Sequence, residues 1–126
     1  MNDELEKKLK QLKIEDFIWF IYIGIIILSW YANSLERDYY LNNNIKSKEE
    51  YRNIMILIFS ILIIVYLYFL QDSYNDFINL KETDSKKKKE LITLSFIASL
   101  LIAISGAIFL YIAIKDEELN VELAFN

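Results

Sequence analysis

The chain has 126 residues, of which 55% are hydrophobic and 25% are charged, and its formal net charge is −4. It contains neither cysteine nor histidine, which excludes disulfides, thiol chemistry, the usual Cys/His zinc sites and any His-based triad. Charged residues lie in blocks between long uncharged runs, a pattern typical of a polytopic membrane protein organised as one domain over residues 1–126.

The N-terminal segment, residues 1–16, is predicted to form a charged amphipathic helix. Leu5, Leu9 and Leu12 recur at i, i+4 and i+7 and give this helix one narrow apolar stripe. Two interpretations stay open. The helix is either a solvated extension of the first span, or it lies on the membrane surface or packs on another cytoplasmic segment.

Residues 17–35 form the first uncharged run, and its nineteen residues match one bilayer crossing. Trp19 near the start and Trp30 near the end fit the two aromatic belts of a membrane-spanning helix. An alternative is that residues 32–34, Ala-Asn-Ser, are a signal-peptide cleavage site. The acidic residues before the run count against cleavage, because signal peptides begin with a basic region.

A polar connector, residues 36–53, is predicted to be an outer loop that leads into the second span, residues 54–70. Ser47 and Glu50 have the spacing of a capping box, which predicts that the second helix starts near Lys48. We expect this helix to continue beyond the membrane to about residue 82, because its apolar pattern continues past the span.

A basic cytoplasmic turn is predicted at residues 83–90, where Lys86, Lys87, Lys88 and Lys89 follow one another. Beside a membrane, each such lysine contributes about 1 kcal/mol of attraction to an anionic leaflet. These lysines are therefore predicted membrane-surface electrostatic residues, with a topology anchor favoured over specific contact with anionic lipid. The acidic chain and the lack of interleaved aromatic residues argue against nucleic-acid binding.

The third span, residues 91–114, is a stretch of twenty-four residues without a charge. It carries a row of small side chains, and such rows let membrane helices approach closely. We predict that these residues pack against the other spans or against a second copy of the chain in a homo-oligomer. The row consists of Ser95, Ser99, Ala103, Gly106 and Ala107, and the opposite face, expected to contact lipid, of Ile97, Leu101, Ile104 and Ile108.

The remaining tail, residues 115–126, is acidic. Its apolar residues Leu119, Val121, Leu123 and Phe125 alternate with other residues, which indicates an extended segment. The tail is either frayed, as chain ends often are, or it docks as an added strand on the sheet edge of a partner.

The distribution of basic residues predicts the orientation. Residues 1–16 and 71–90 together hold nine Lys and Arg, against five in residues 36–53 and 115–126. The positive-inside rule therefore places the N-terminus in the cytoplasm and the C-terminus outside the cytoplasmic membrane. We also expect two apolar triplets to pack together in a small cytoplasmic stalk. These are Leu5, Leu9 and Leu12, and Tyr74, Phe77 and Ile78.

These patterns predict an all-α fold with three transmembrane helices in an antiparallel bundle and short cytoplasmic helical extensions. No ionisable residue lies inside an uncharged run, which argues against an ion pathway. No base is present there to activate a serine, so no enzyme, metal or cofactor is predicted. The predicted function is non-enzymatic: an accessory, immunity-type or regulatory protein acting through helix packing or partners in the bilayer. The alternative is an oligomeric pore-former, because three short spans resemble the holin type in outline.

Overall fold

A computed structural model describes residues 2–123 of the chain. Within that range the regular elements are three α-helices, which confirms the all-α prediction for the described residues. The helices are α1, Asp3–Asn42, α2, Ile45–Ile78, and α3, Lys86–Lys115. Each of the three uncharged runs lies inside one of these helices.

The N-terminal segment is helical, as predicted, and continues into the first uncharged run without a break. The side-chain oxygen of Asn2 accepts a hydrogen bond from the backbone N–H of Glu4 at 2.8 Å. This contact and the acidic residues of the first turn stabilise the helix start, because both complement its unpaired N–H groups and its dipole. Four residues of α1 are buried, and they are separated by seven, seven and three positions: Ile18, Ile25, Ala32 and Leu35.

The link between α1 and α2 is only two residues long, Asn43 and Asn44, so the polar loop predicted over residues 36–53 is wrong. Asn43 has a φ of 53°, a left-handed conformation that asparagine tolerates better than most residues. The side-chain oxygen of Asn44 accepts from the backbone N–H groups of Lys46, at 3.1 Å, and Ser47, at 3.4 Å. Asn44 therefore caps α2, and the predicted capping box at Ser47 is wrong.

The turn between α2 and α3 occupies residues 79–85 and differs from the prediction at both ends. α2 ends at Ile78, four residues before the expected position near residue 82. Ser85 is the N-cap of α3, and its hydroxyl accepts a hydrogen bond from the backbone N–H of Lys88 at 3.1 Å. The four lysines predicted to lie in the turn consequently form the first turn of α3.

The chain divides into two compact units, Met1–Ile54 and Met55–Asn126, with the boundary inside α2. In the second unit, α2 and α3 form an antiparallel hairpin. At its turn end, the rings of Phe77 and Phe96 stack at 5.2 Å, and Tyr74 meets Phe96 edge-on at 5.6 Å. Both aromatic residues that were expected in the stalk therefore contact α3. The stalk itself stays a prediction.

The tail after α3 forms a turn rather than a strand in its described part, up to residue 123. Asp116 accepts hydrogen bonds from the backbone N–H groups of Asn120 and Val121, both at 2.9 Å. Leu119 lies within this turn with a φ of 55°, and Leu123 is buried. The predicted alternation extends to Phe125, which lies outside the described residues.

Candidate functional site

The packing face of α3 follows a spacing that alternates between three and four residues. Its members are at least partly buried: Phe96, Ser99, Ala103, Gly106, Leu110 and Ala113. The same alternation holds for Met55, Ile58, Leu62 and Val65, which are buried on α2. A mean spacing of 3.5 residues keeps one stripe facing a neighbouring helix when the two helices supercoil with a left hand.

The structure places only part of the predicted small-residue row on this face. Gly106 is buried, Ser99 and Ala103 are partly buried, and Ser95 and Ala107 are exposed. A spacing of four residues rotates by about 40° per step around a helix of 3.6 residues per turn, so a row built on it drifts away from the neighbouring helix. The packing contact within the hairpin thus uses three of the five predicted residues.

Gly106 lies against the Tyr66 ring of α2. A Cβ atom added there would lie 2.9 Å from Cδ2 and 3.1 Å from Cε2 of Tyr66, and 3.5 Å from Cγ1 of Ile63. A side chain at this position would meet the ring of Tyr66, so a shift of the ring or of a helix would be needed to accommodate it. Farther from the turn, the rings of Phe59 and Phe109 stack with their centroids 5.5 Å apart. Bulky rings of α2 therefore fit against small or flat surfaces of α3.

The opposite faces of both helices are apolar and exposed. The four α3 residues expected to contact lipid, Ile97, Leu101, Ile104 and Ile108, are exposed, and so is Ile64 of α2. Both helices are long and apolar enough to cross a membrane, and their most apolar 18-residue stretches have mean hydropathies of 2.6 in α2 and 2.5 in α3. Only 28% of this stretch of α2 and 11% of that of α3 is buried.

Asp84 lies in the turn before the four lysines of α3 and forms hydrogen bonds on both sides of it. The Asp84 carboxylate accepts from the backbone N–H of Lys81 at 2.8 Å and from Nζ of Lys88 at 3.1 Å. The first of these bonds, followed by the second, lowers the pKa of Asp84 below its usual value. Nζ of Lys89 donates to the carbonyl oxygen of Glu82 at 3.1 Å. Two of the four lysines of α3 therefore bond to residues of the preceding turn.

A second polar cluster holds the link between α1 and α2. The Asp38 carboxylate accepts from the Ser47 hydroxyl at 2.6 Å, from Nδ2 of Asn42 at 2.6 Å and from Nδ2 of Asn44 at 2.7 Å. These hydrogen bonds, that of Ser47 foremost, lower the pKa of Asp38. Asp116 after α3 has a lowered pKa for the same reason, chiefly through the backbone N–H of Asn120. Sequence reasoning missed these clusters, whose signal is an aspartate beside helix-capping residues.

Two hydroxyl groups within the apolar segments of α2 and α3 bond to their own helices. Ser60 donates to the carbonyl oxygen of Ile56 and Thr93 to that of Lys89, both at 2.7 Å. This i−4 pattern satisfies a polar group without a partner from another helix. Among residues 2–123, no group of three or more acidic side chains is placed to hold a metal ion. The arrangement provides surfaces for helix packing and a cationic turn.

Comparisons with protein-family models, curated protein sequences and solved structures find no match to the chain.

Proposed function

We propose that the chain is a small integral membrane protein that crosses the bilayer three times and acts through helix packing with protein partners. The observation that supports membrane insertion best is the low burial of the apolar helices. A core helix of a soluble protein can be as long and as apolar, but its apolar side chains are mostly buried. In α3 only 11% of the most apolar stretch is buried, so lipid or protein must cover the remainder.

The energetics of α3 favour lipid as the surrounding medium. Residues 91–114 contain fourteen Leu, Ile and Phe residues. Each contributes about −0.3 to −0.6 kcal/mol to insertion at the centre of a membrane helix and less near its ends, so their sum is at most roughly −4 to −8 kcal/mol. The backbone of the segment is hydrogen-bonded within the helix, as the hydrocarbon core requires. Residues 54–70 of α2 have the same character.

The first span of the proposal is residues 17–35 of α1. This stretch lies within a continuous helix and has no charged residue. At a rise of 1.5 Å per residue its nineteen residues extend for about 28 Å, close to the thickness of the hydrocarbon core. Phe17, Trp19, Phe20 and Trp30 are exposed along it.

The proposed orientation places the N-terminus and residues 79–85 in the cytoplasm, and the link at Asn43 and Asn44 outside. α2 has 34 residues, so its two ends are about 50 Å apart, and the link and the turn would emerge on opposite sides of the bilayer. The lysines beside the turn favour the cytoplasmic side. The C-terminus is then outside.

Within this setting we propose an accessory, immunity-type or regulatory role without catalysis. The bonding of Ser60 and Thr93 to carbonyl oxygens of their own helices supports it, because these hydroxyls are engaged in helix structure. Partners, including a second copy of the chain, would pack on the exposed apolar faces, where Ser95 and Ala107 lie.

Two experiments test the proposal. After alkaline carbonate extraction the protein should stay with the membrane fraction. Single cysteines should then report topology with an impermeant thiol reagent. Leu41→Cys should be labelled in intact cells and Thr83→Cys only after permeabilisation, both sites being exposed. Labelling of Thr83→Cys from outside would refute the orientation. Growth arrest and dye leakage on induced expression would favour the pore-former instead.

A further inference from the structure

The four lysines of α3 form a collar rather than one charged face. They are the first four residues of the helix, and consecutive residues of an α-helix point about 100° apart. Lys86, Lys87 and Lys88 are exposed and Lys89 is partly buried. The uncharged stretch starts at Leu91, immediately after the collar and Glu90.

The structure divides the collar into two pairs. Lys88 forms an ion pair with Asp84 at 3.1 Å, and Lys89 donates to the carbonyl oxygen of Glu82 at 3.1 Å. The side chains of Lys86 and Lys87 form no hydrogen bond or ion pair with residues 2–123. One pair therefore holds the turn, while the other extends its charges into the surroundings.

Local electrostatics alone do not favour lysines here. The N-terminus of a helix carries a partial positive charge, so cations in the first turn oppose the helix dipole. Asp84 offsets one of the four positive charges. The two outward lysines therefore add to a region that is already positive, and this region attracts anions. A sequence that departs from a local rule often does so where a function needs the departure.

We propose that Lys86 and Lys87 bind the phosphate groups of anionic phospholipids in the leaflet beside the turn, while Lys88 and Lys89 hold the start of α3. This inference rests on the membrane insertion proposed above. Lipid headgroups fit the geometry because they lie beside a spanning helix at the level where its apolar segment begins, which is where Lys86 and Lys87 are exposed.

The test uses the full-length chain in phosphatidylcholine vesicles, with a donor fluorophore on a Thr83→Cys variant. Acceptor-labelled phosphatidylglycerol and acceptor-labelled phosphatidylcholine, each at low mole fraction, are compared by energy transfer. The ratio of the two associations measures the preference for the anionic lipid. The Lys86→Gln/Lys87→Gln variant should lose about fivefold of this preference per lysine, the equivalent of about 1 kcal/mol each.

The matched control is Lys88→Gln/Lys89→Gln, which removes the same charge. It should keep most of the lipid preference and instead lower the helical content or the thermal stability of the chain. An equal loss of preference in both double variants would overturn the division of the collar. No loss in either, or displacement of the preference by a soluble polyglutamate peptide, would overturn lipid binding. Release of the protein by carbonate would refute membrane insertion itself. If the protein is retained, a failure of the lipid experiment counts against lipid binding alone.

Discussion

Replacement of Gly106 by alanine tests the register of the α2–α3 hairpin. The added Cβ would lie 2.9 Å from a ring carbon of Tyr66, closer than such contacts occur. The ring or one of the helices must shift, and overpacking of this kind costs about 1–3 kcal/mol. Alanine also favours a helix over glycine by up to about 1 kcal/mol, which partly masks this cost.

Gly24 provides the matched control. It also lies inside a helix, but nothing comes within 4 Å of a Cβ added there. Gly24→Ala therefore gains the helix-propensity term without the clash. Because that term is common to both variants, the difference between their unfolding free energies isolates the clash. We expect Gly106→Ala to be about 1–3 kcal/mol less stable than Gly24→Ala.

The measurement is unfolding of the full-length chain in mixed micelles with increasing dodecyl sulfate, followed by circular dichroism. A second background, Tyr66→Ala, removes the ring that the new methyl group would meet. There the two alanine variants should differ by much less, and the coupling between positions 66 and 106 should have the magnitude of the clash. If Gly106→Ala and Gly24→Ala are equally stable in the chain that keeps Tyr66, the close contact at Gly106 is refuted.

Two further predictions concern the helix ends. The Asp38 carboxylate has a lowered pKa in the folded chain. Its contribution to stability is therefore fully present above its unfolded pKa of about 3.9. This contribution is lost as the pH falls through the lower pKa of the folded state. Asp38→Asn should therefore be less stable at neutral pH and lack this part of the acid-induced loss, which thermal melts at several pH values would show. Ser85→Ala removes the cap on the N–H of Lys88 and should cost about 1 kcal/mol, whereas Ser95→Ala, on the exposed side of α3, should change the melting of the chain little.

The helices themselves were predictable from the long uncharged runs. Such runs are expected in lipid, where the backbone must form its hydrogen bonds internally, and an α-helix does this. The packing face of α3 was predicted only in part. Small side chains four apart attract notice, but the buried stripe alternates three and four residues and includes Phe96 and Ala113. Whether a small residue faces a neighbour depends on supercoiling and on the partner ring of Tyr66, which no local pattern shows.

The helix ends were harder to predict for a different reason. Both connectors contain several residues that could cap a helix. Which of them does so depends on hydrogen bonds between positions far apart in the sequence. Ser47 has the spacing of a capping box, yet its hydroxyl donates to Asp38, nine residues earlier. Asn44 then provides the oxygen for the first N–H groups of α2. The four consecutive lysines were predicted to lie in a loop because of their charge. Ser85, which precedes them, is instead the N-cap of α3, so they lie within the helix.

The two connections of the chain should accept changes of length very differently. An insertion between Asn43 and Asn44 would separate Asp38 from Ser47 and break the hydrogen bond between them. Residues 79–85 form a longer turn, whose second part is held together by two hydrogen bonds between Lys81 and Asp84. An epitope tag or a fused domain is therefore best placed just before Lys81, because an insertion beside Thr83 would separate these two residues. Natural variation in length should concentrate there as well, since loop insertions cost little when they leave structural hydrogen bonds intact.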